Sequence, residues 1–284
     1  MSGRAYEHAV HTWMFGGLPL PRIVSCLEQI GFSADLSLYE DGSLTPSLLE
    51  RYQRGGALNG IHIPVTTAMF NSQALDLSSS DDAVRFHAVD FAKRCVDASA
   101  RVGADRMLVS PSPVLTGARC CRSREADWDR AVRSLYELGR HAEAQNVRLM
   151  IEPINRSRVA LIHTVAEALS LAAETGLDNV GVVADVFHMN MEEPEGVVRA
   201  IESAGRKLYC LHIGGSTRRV PGKDCFDWRG VLGALDRIGY DGVLSYEPAA
   251  LYFDADRVAD DPSCRERFLS ELSAGKEYLD RLCL

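Results

Sequence analysis

Glu152, Asp185, His212 and Glu247 each close or follow a short apolar run, in the stretches RLMIE, VGVVAD, LYCLH and VLSYE. A polar residue at the end of such a run is a candidate for chemistry, because a strand buried along its length presents its last side chain at a rim. Three carboxylates gathered at one place repel, and their pKa values are driven apart. A divalent cation removes that conflict. Three carboxylates and one imidazole make a hard, oxygen-rich ligand set, suited first to Mn²⁺ or Mg²⁺, with Co²⁺ and Zn²⁺ as further options. Taken alone, each residue could equally cap a helix or meet a lysine. Four at equivalent places on successive strands argue for one cation.

The elements that must position them alternate along the chain. Apolar runs at 5–13, 34–39, 60–65, 106–110, 147–154, 179–187, 207–214 and 242–248 read as strands, with amphipathic stretches between and after them. The clearest helix covers about 82–102. Its apolar face is Val84, Ala88, Phe91, Cys95, Ala98 and Val102, capped near Ser79 or Asp82 and closed by Gly103. Thr45 with Pro46, and Thr164 with Glu167, mark two more helix starts. Runs such as LMI, VGVV and LYCL are apolar throughout, as strands covered on both faces are. Eight strand–helix units without a linker predict an α/β fold, a single (β/α)8 TIM barrel over 1–284. The open doubly wound sheet is the rival, but WMFGGLP after the first strand is no dinucleotide turn.

In 284 residues, 46% are hydrophobic and 25% charged, with a net charge of −8. Such an acidic chain is poorly suited to a phosphate backbone, so no nucleic-acid partner is expected. No apolar stretch is long enough for a membrane span. Eight cysteines include no C-x-x-C pair, and MSGRAYEHAV lacks the apolar core of a secretory signal, so a cytoplasmic protein with reduced cysteines is expected.

The runs MIEPINR (150–156), VVADVFHMN (182–190), LHIGGSTR (211–218), VPGKDCFDW (220–228) and SYEP (245–248) resemble the sugar isomerase/epimerase family with a xylose-isomerase-like barrel. The resemblance is nearest to the D-tagatose 3-epimerase and D-psicose 3-epimerase group. It implies that Glu152, Asp185, His212 and Glu247 bind the metal and that Glu152 and Glu247 are also the acid/base pair. It further implies that His188 and Arg218 hold the oxygens around the reacting carbonyl. The expected reaction is epimerisation or isomerisation of a ketose or ketose-like sugar, by proton abstraction α to a carbonyl through a metal-stabilised enediolate.

Three positions depart from the resemblance. Arg158 stands where a substrate-contacting glutamate is usual, and either faces solvent or binds an anionic group such as a phosphate or carboxylate. Gly215 replaces a frequent acidic residue, and Asp224 a frequent glycine. Trp13 ends the first strand, as an apolar wall for a sugar or as packing. His62 ends the third, as a pocket residue or a satisfied interior histidine. Cys120 and Cys121 lie in an arginine-rich loop of open role.

Two other chemistries suit such a barrel. A metal-dependent lyase or dehydratase acting on an inosose-like keto-sugar begins with the same proton abstraction. An AP-endonuclease-like nuclease needs further His and Asp ligands, and GGSTRRVPG (214–222) supplies neither. The expected partner is therefore a small sugar or sugar derivative, with a homo-oligomer left open.

Overall fold

The computed structural model describes residues 5–42, 44–115, 123–248 and 254–283. Its strands are β1 (Glu7–His11), β2 (Ser33–Leu38), β3 (Val65–Ala68), β4 (Arg106–Val109), β5 (Arg148–Ile151), β6 (Val180–Asp185), β7 (Leu208–Ile213) and β8 (Val243–Tyr246). Each pairs in parallel with the next, and β8 pairs with β1, so the sheet closes into a barrel. The helices between and after them are α1 (Leu20–Ile30), α2 (Pro46–Arg54), α3 (Asp82–Val102), α4 (Arg124–Ala144), α5 (Val165–Glu174), α6 (Val186–Glu192), α7 (Val197–Ala204), α8 (Trp228–Arg237), α9 (Ala255–Asp260) and α10 (Pro262–Leu282). The arrangement is the expected (β/α)8 barrel. No helix among the described residues is long and apolar enough to cross a membrane.

Local chemistry explains the helix ends. Thr45 caps α2 from just before Pro46, and Thr164 with Glu167 forms a reciprocal capping box on α5. The cap of α3 is Asp81, which accepts from the Ala83 N–H, while the Ser79 hydroxyl accepts from the N–H of Asp81 itself. Gly103 ends that helix at φ 82°, a left-handed conformation that costs glycine little.

Besides a first strand that ends at His11, with Trp13 in the 3-10 turn Thr12–Phe15 that follows, and the additional short helix α9, two elements differ from the sequence reading. The third strand lies at 65–68 rather than 60–65. The His62 carbonyl does accept from the N–H of Ala34 in β2, but Pro64 has no N–H to continue a ladder, which starts at Val65 opposite Asp35. The threonines of VTTA hid the strand, being buried without being apolar. The second difference is α6, which begins directly after Asp185. The Asp185 side chain caps it by accepting from the N–H groups of Phe187 and His188.

Most buried apolar side chains form one layer between barrel and helices. A separate cluster, Ala9, Val65, Leu108, Met150, Val183, Tyr209, Cys210 and Val243, comes from the strands alone and fills the barrel interior. The polar rim stands on this packed floor.

Candidate active site and metal centre

Parallel register delivers the four expected ligands to one place. Asp185 is the partner of His212, and His212 of Ser245, two residues before Glu247. The Glu247 N–H donates to the carbonyl of Ile213, and that of Glu152 to Val109. One ligand atom from each of Glu152, Asp185, His212 and Glu247 lies within 4.8 Å of the others. Asp185 and His212 are fully buried, Glu152 nearly so, and Glu247 partly exposed.

This set fits a divalent cation. His212 Nδ1 lies 3.2 Å from Glu152 Oε1 and 3.6 Å from Glu247 Oε2, yet it is buried without a hydrogen bond. A ring nitrogen facing two carboxylates in that way is disposed for a shared cation. Arg218 offsets one of the three negative charges, its Nη1 sitting 3.0 Å from Glu247 Oε2 and 3.3 Å from Asp185 Oδ2. Burial pushes Asp185 up to about 6 against the pull of Arg218. Burial acts the same way on Glu247, but Arg218 and His212 outweigh it and hold that carboxyl well below its usual range. Burial also disfavours the His212 imidazolium, but Cys210, Glu152 and Glu247 together hold its pKa well above the ordinary value.

The remaining expected residues divide by location. His188 and Arg218 both line a cavity of about 560 Å³ above the cluster, as do Trp13 and Arg158. Arg218 adopts φ 55°, rare for a non-glycine residue, and its guanidinium lies 4.5 Å over the Phe187 ring. Burial, helped by Arg218, pushes His188 down to about 4. Arg158 is exposed, and its guanidinium makes no hydrogen bond or ion pair among the described residues. His62 is not at the site. It precedes β3 and pairs with Glu7, which opens β1, so it lies at the opposite end of the barrel. The early placement of the strand had carried His62 to the wrong rim. Cys120 and Cys121 fall outside the described residues.

Other residues of the site were not singled out from sequence. Asn155, 5% exposed, lines the cavity and contacts His188. Beneath the cluster, His11 Nε2 lies 3.2 Å from both His212 Nε2 and Asp35 Oδ2, and Asp35 accepts from the hydroxyls of Thr67 and Ser245. His11, Asp35 and His212 form a second group of donor atoms within 4.8 Å of one another. The one available signal was Asp35, a charge inside the apolar stretch ADLSLY.

Gly215 and Asp224 prove to be one feature. A Cβ on Gly215 would lie 1.4 Å from Asp224 Oδ2, so the Asp224 carboxylate fills the space a side chain at 215 would need. Its Oδ1 accepts from Trp228 Nε1 at 3.0 Å and from the Phe226 N–H at 3.4 Å.

Residues 13–264 match the family model described as the xylose isomerase-like TIM barrel. The chain belongs to this family. Within the xylose isomerase-like TIM barrel family, it is 38% identical over 125 residues to a D-psicose 3-epimerase of Ruminiclostridium cellulolyticum. That match covers 44% of this chain and only 42% of the relative. A D-psicose 3-epimerase of Agrobacterium fabrum is 28% identical over 250 residues, 87% of this chain and 84% of the relative. The crystal structure of a D-psicose 3-epimerase with D-tagatose from Clostridium cellulolyticum superposes with a TM-score of 0.83. At 23% identity, over 98% of this chain and 99% of that one, it shows a shared fold.

Proposed function

We propose that the protein is a divalent-metal-dependent epimerase of ketose or ketose-like sugars. The observation that carries the reading is the pair Glu152 and Glu247, which directly follow β5 and β8, the outer two of the four adjacent strands whose ends bear the cluster. Three similar proteins support the sugar substrate through their own names, D-psicose 3-epimerase. Glu152, Asp185, His212 and Glu247 would hold a divalent ion, Mn²⁺ by first choice, whose positive charge would favour loss of the proton next to the ketose carbonyl. One of the two glutamates removes that proton, and the other returns one from the opposite side, which inverts the carbon. His188 and Arg218 bind sugar oxygens, and Trp13 offers an apolar wall. The packed barrel interior closes the site from below.

The substrate carries an anionic group in this reading, and Arg158 receives it. Glu152, Asp185 and Glu247 bring three negative charges, which Arg218 and one divalent ion balance. Arg158 lines the same cavity with no ion pair of its own among the described residues. Phosphate and carboxylate both fit a guanidinium.

The test is deuterium wash-in from D₂O, with Mn²⁺-loaded protein, across ketoses, phosphorylated ketoses, keto-acid sugars and inososes. Exchange at one carbon with an epimeric product is expected, and Glu152→Gln and Glu247→Gln should each lower its rate by about 10²–10⁴-fold. Exchange accompanied by loss of water would make the protein a dehydratase instead.

A further inference from the structure

We infer that Asn155 is a positioning residue: its amide fixes the His188 tautomer, so that His188 Nε2–H and an Arg218 N–H both address one acceptor oxygen of the sugar. The identity of that oxygen rests on the epimerase reading. The tautomer does not.

Hydrogen-bonding capacity sets the tautomer. Asn155 Oδ1 accepts from the Ser157 N–H at 3.1 Å and from the Ser157 hydroxyl. Those two bonds orient the amide, leaving Nδ2 as the group that faces His188, and an amide nitrogen offers only hydrogens. It lies 2.8 Å from His188 Nδ1. A bond there uses the Nδ1 lone pair, which leaves the ring proton on Nε2. The opposite tautomer would let Nε2 accept from Arg218 at 3.3 Å, but Arg218 already has Asp185 and Glu247 as acceptors. The shorter contact with Asn155 would then become two buried donors facing each other, since Asn155 and His188 are each 5% exposed.

Nε2 of His188 in turn lies 3.3 Å from Nη2 of Arg218. A guanidinium also offers only hydrogens, so neither group satisfies the other. Arg218 Nη1 is already held by Asp185 and Glu247, so it is Nη2, together with His188 Nε2–H, that a third atom with two lone pairs, such as a carbonyl or hydroxyl oxygen, can bridge. A protonated amine has no lone pair to give. The pair therefore selects an oxygen at this point of the substrate and is ready to meet charge that develops on it. The Asn155 carbonyl, which accepts from the N–H groups of Arg158 and Val159, anchors the same residue through its backbone.

The experiment is ¹⁵N–¹H NMR on histidine-labelled full-length protein loaded with Mg²⁺, with the His188 signals assigned from His188→Gln. The wild type should show a protonated Nε2 and a lone-pair Nδ1 at His188. Asn155→Leu, close in size and unable to donate, should shift that ring towards the other tautomer or a mixture. On the ketose found by wash-in, the variant should lose about 10–100-fold, mainly in kcat, because the oxygen gains charge only as the proton leaves. A proton on Nδ1 in the wild type overturns the inference, and that spectrum requires no variant to fold. An unchanged tautomer in folded Asn155→Leu overturns it equally. If no sugar exchanges while the wild-type ring has the expected tautomer, the epimerase reading falls and the role of Asn155 in orienting His188 stands.

Discussion

Arg158 and Arg218 share a cavity but not a situation. Arg218 is held by Asp185 and Glu247 and is buried against Phe187, whereas Arg158 reaches the cavity without an ion pair to any acid among the described residues. A charge-assisted bond from an exposed guanidinium to a phosphate or carboxylate is worth on the order of 1.5 kcal/mol, or about tenfold in affinity. Arg158→Gln should therefore raise KM about tenfold for an anionic keto-sugar and leave KM for its neutral counterpart unchanged. Equal KM values for wild type and variant on the anionic substrate would remove Arg158 from substrate recognition. At this scale the four ligand residues were legible because each breaks an apolar run. Asn155 and His11 were not, since their importance lies in which atom of a distant histidine they face.

The segment from Gly215 to Trp228 illustrates what an element adds to its residues. The Gly215 N–H donates to the Arg219 carbonyl, and the Arg218 N–H to the Gly215 carbonyl, forming a tight turn that carries Arg218 into the site. Asp224, from further along the chain, occupies the space over Gly215 and ties the turn to the start of α8 through Trp228. Gly215→Ala should force that carboxylate away and cost about 1–3 kcal/mol, read as a lower denaturation midpoint. In the Asp224→Gly background the same substitution should cost much less, because the obstacle is gone. Additive costs in that double-mutant cycle would show the two positions to be independent. In sequence these were two separate departures from a resemblance; spatial overlap joins them. The third strand was misplaced at the same scale. Proline chemistry at Pro64 decides where the ladder begins, and threonines supply the strand, so counting apolar residues pointed a few positions too early.

Across the whole molecule, the two ends of the barrel have different tasks. The rim at the strand ends carries the ligand cluster, while His8 lies near the other end, 5% exposed, with Nδ1 3.0 Å from the Tyr246 hydroxyl and Nε2 3.2 Å from Asp280. Burial pushes His8 down to about 4, although Asp280 opposes the shift. Its folded pKa therefore lies below the unfolded value of about 6.5, so the unfolded chain takes up the proton first on acidification. The contribution is fully present above pH 6.5 and is lost as the pH falls towards 4, amounting to ~3 kcal/mol. Urea midpoints measured across that window should fall for the wild type and fall less steeply for His8→Asn. Parallel slopes would show that His8 does not carry the acid sensitivity.

Sequence alone determined the number and order of the strand–helix units and the identities of the four candidate ligands. Both are written in local patterns, the apolar run and the polar residue that closes it. It also placed Thr164 and Glu167 at the start of their helix, since a capping box spans only four residues. Only the closed barrel decided which rim a residue occupies, and so excluded His62. It also brought Asn155 to His188 and Asp224 over Gly215. Those relations depend on strand register and on the orientation of single atoms between segments far apart in the chain, and no local pattern encodes them.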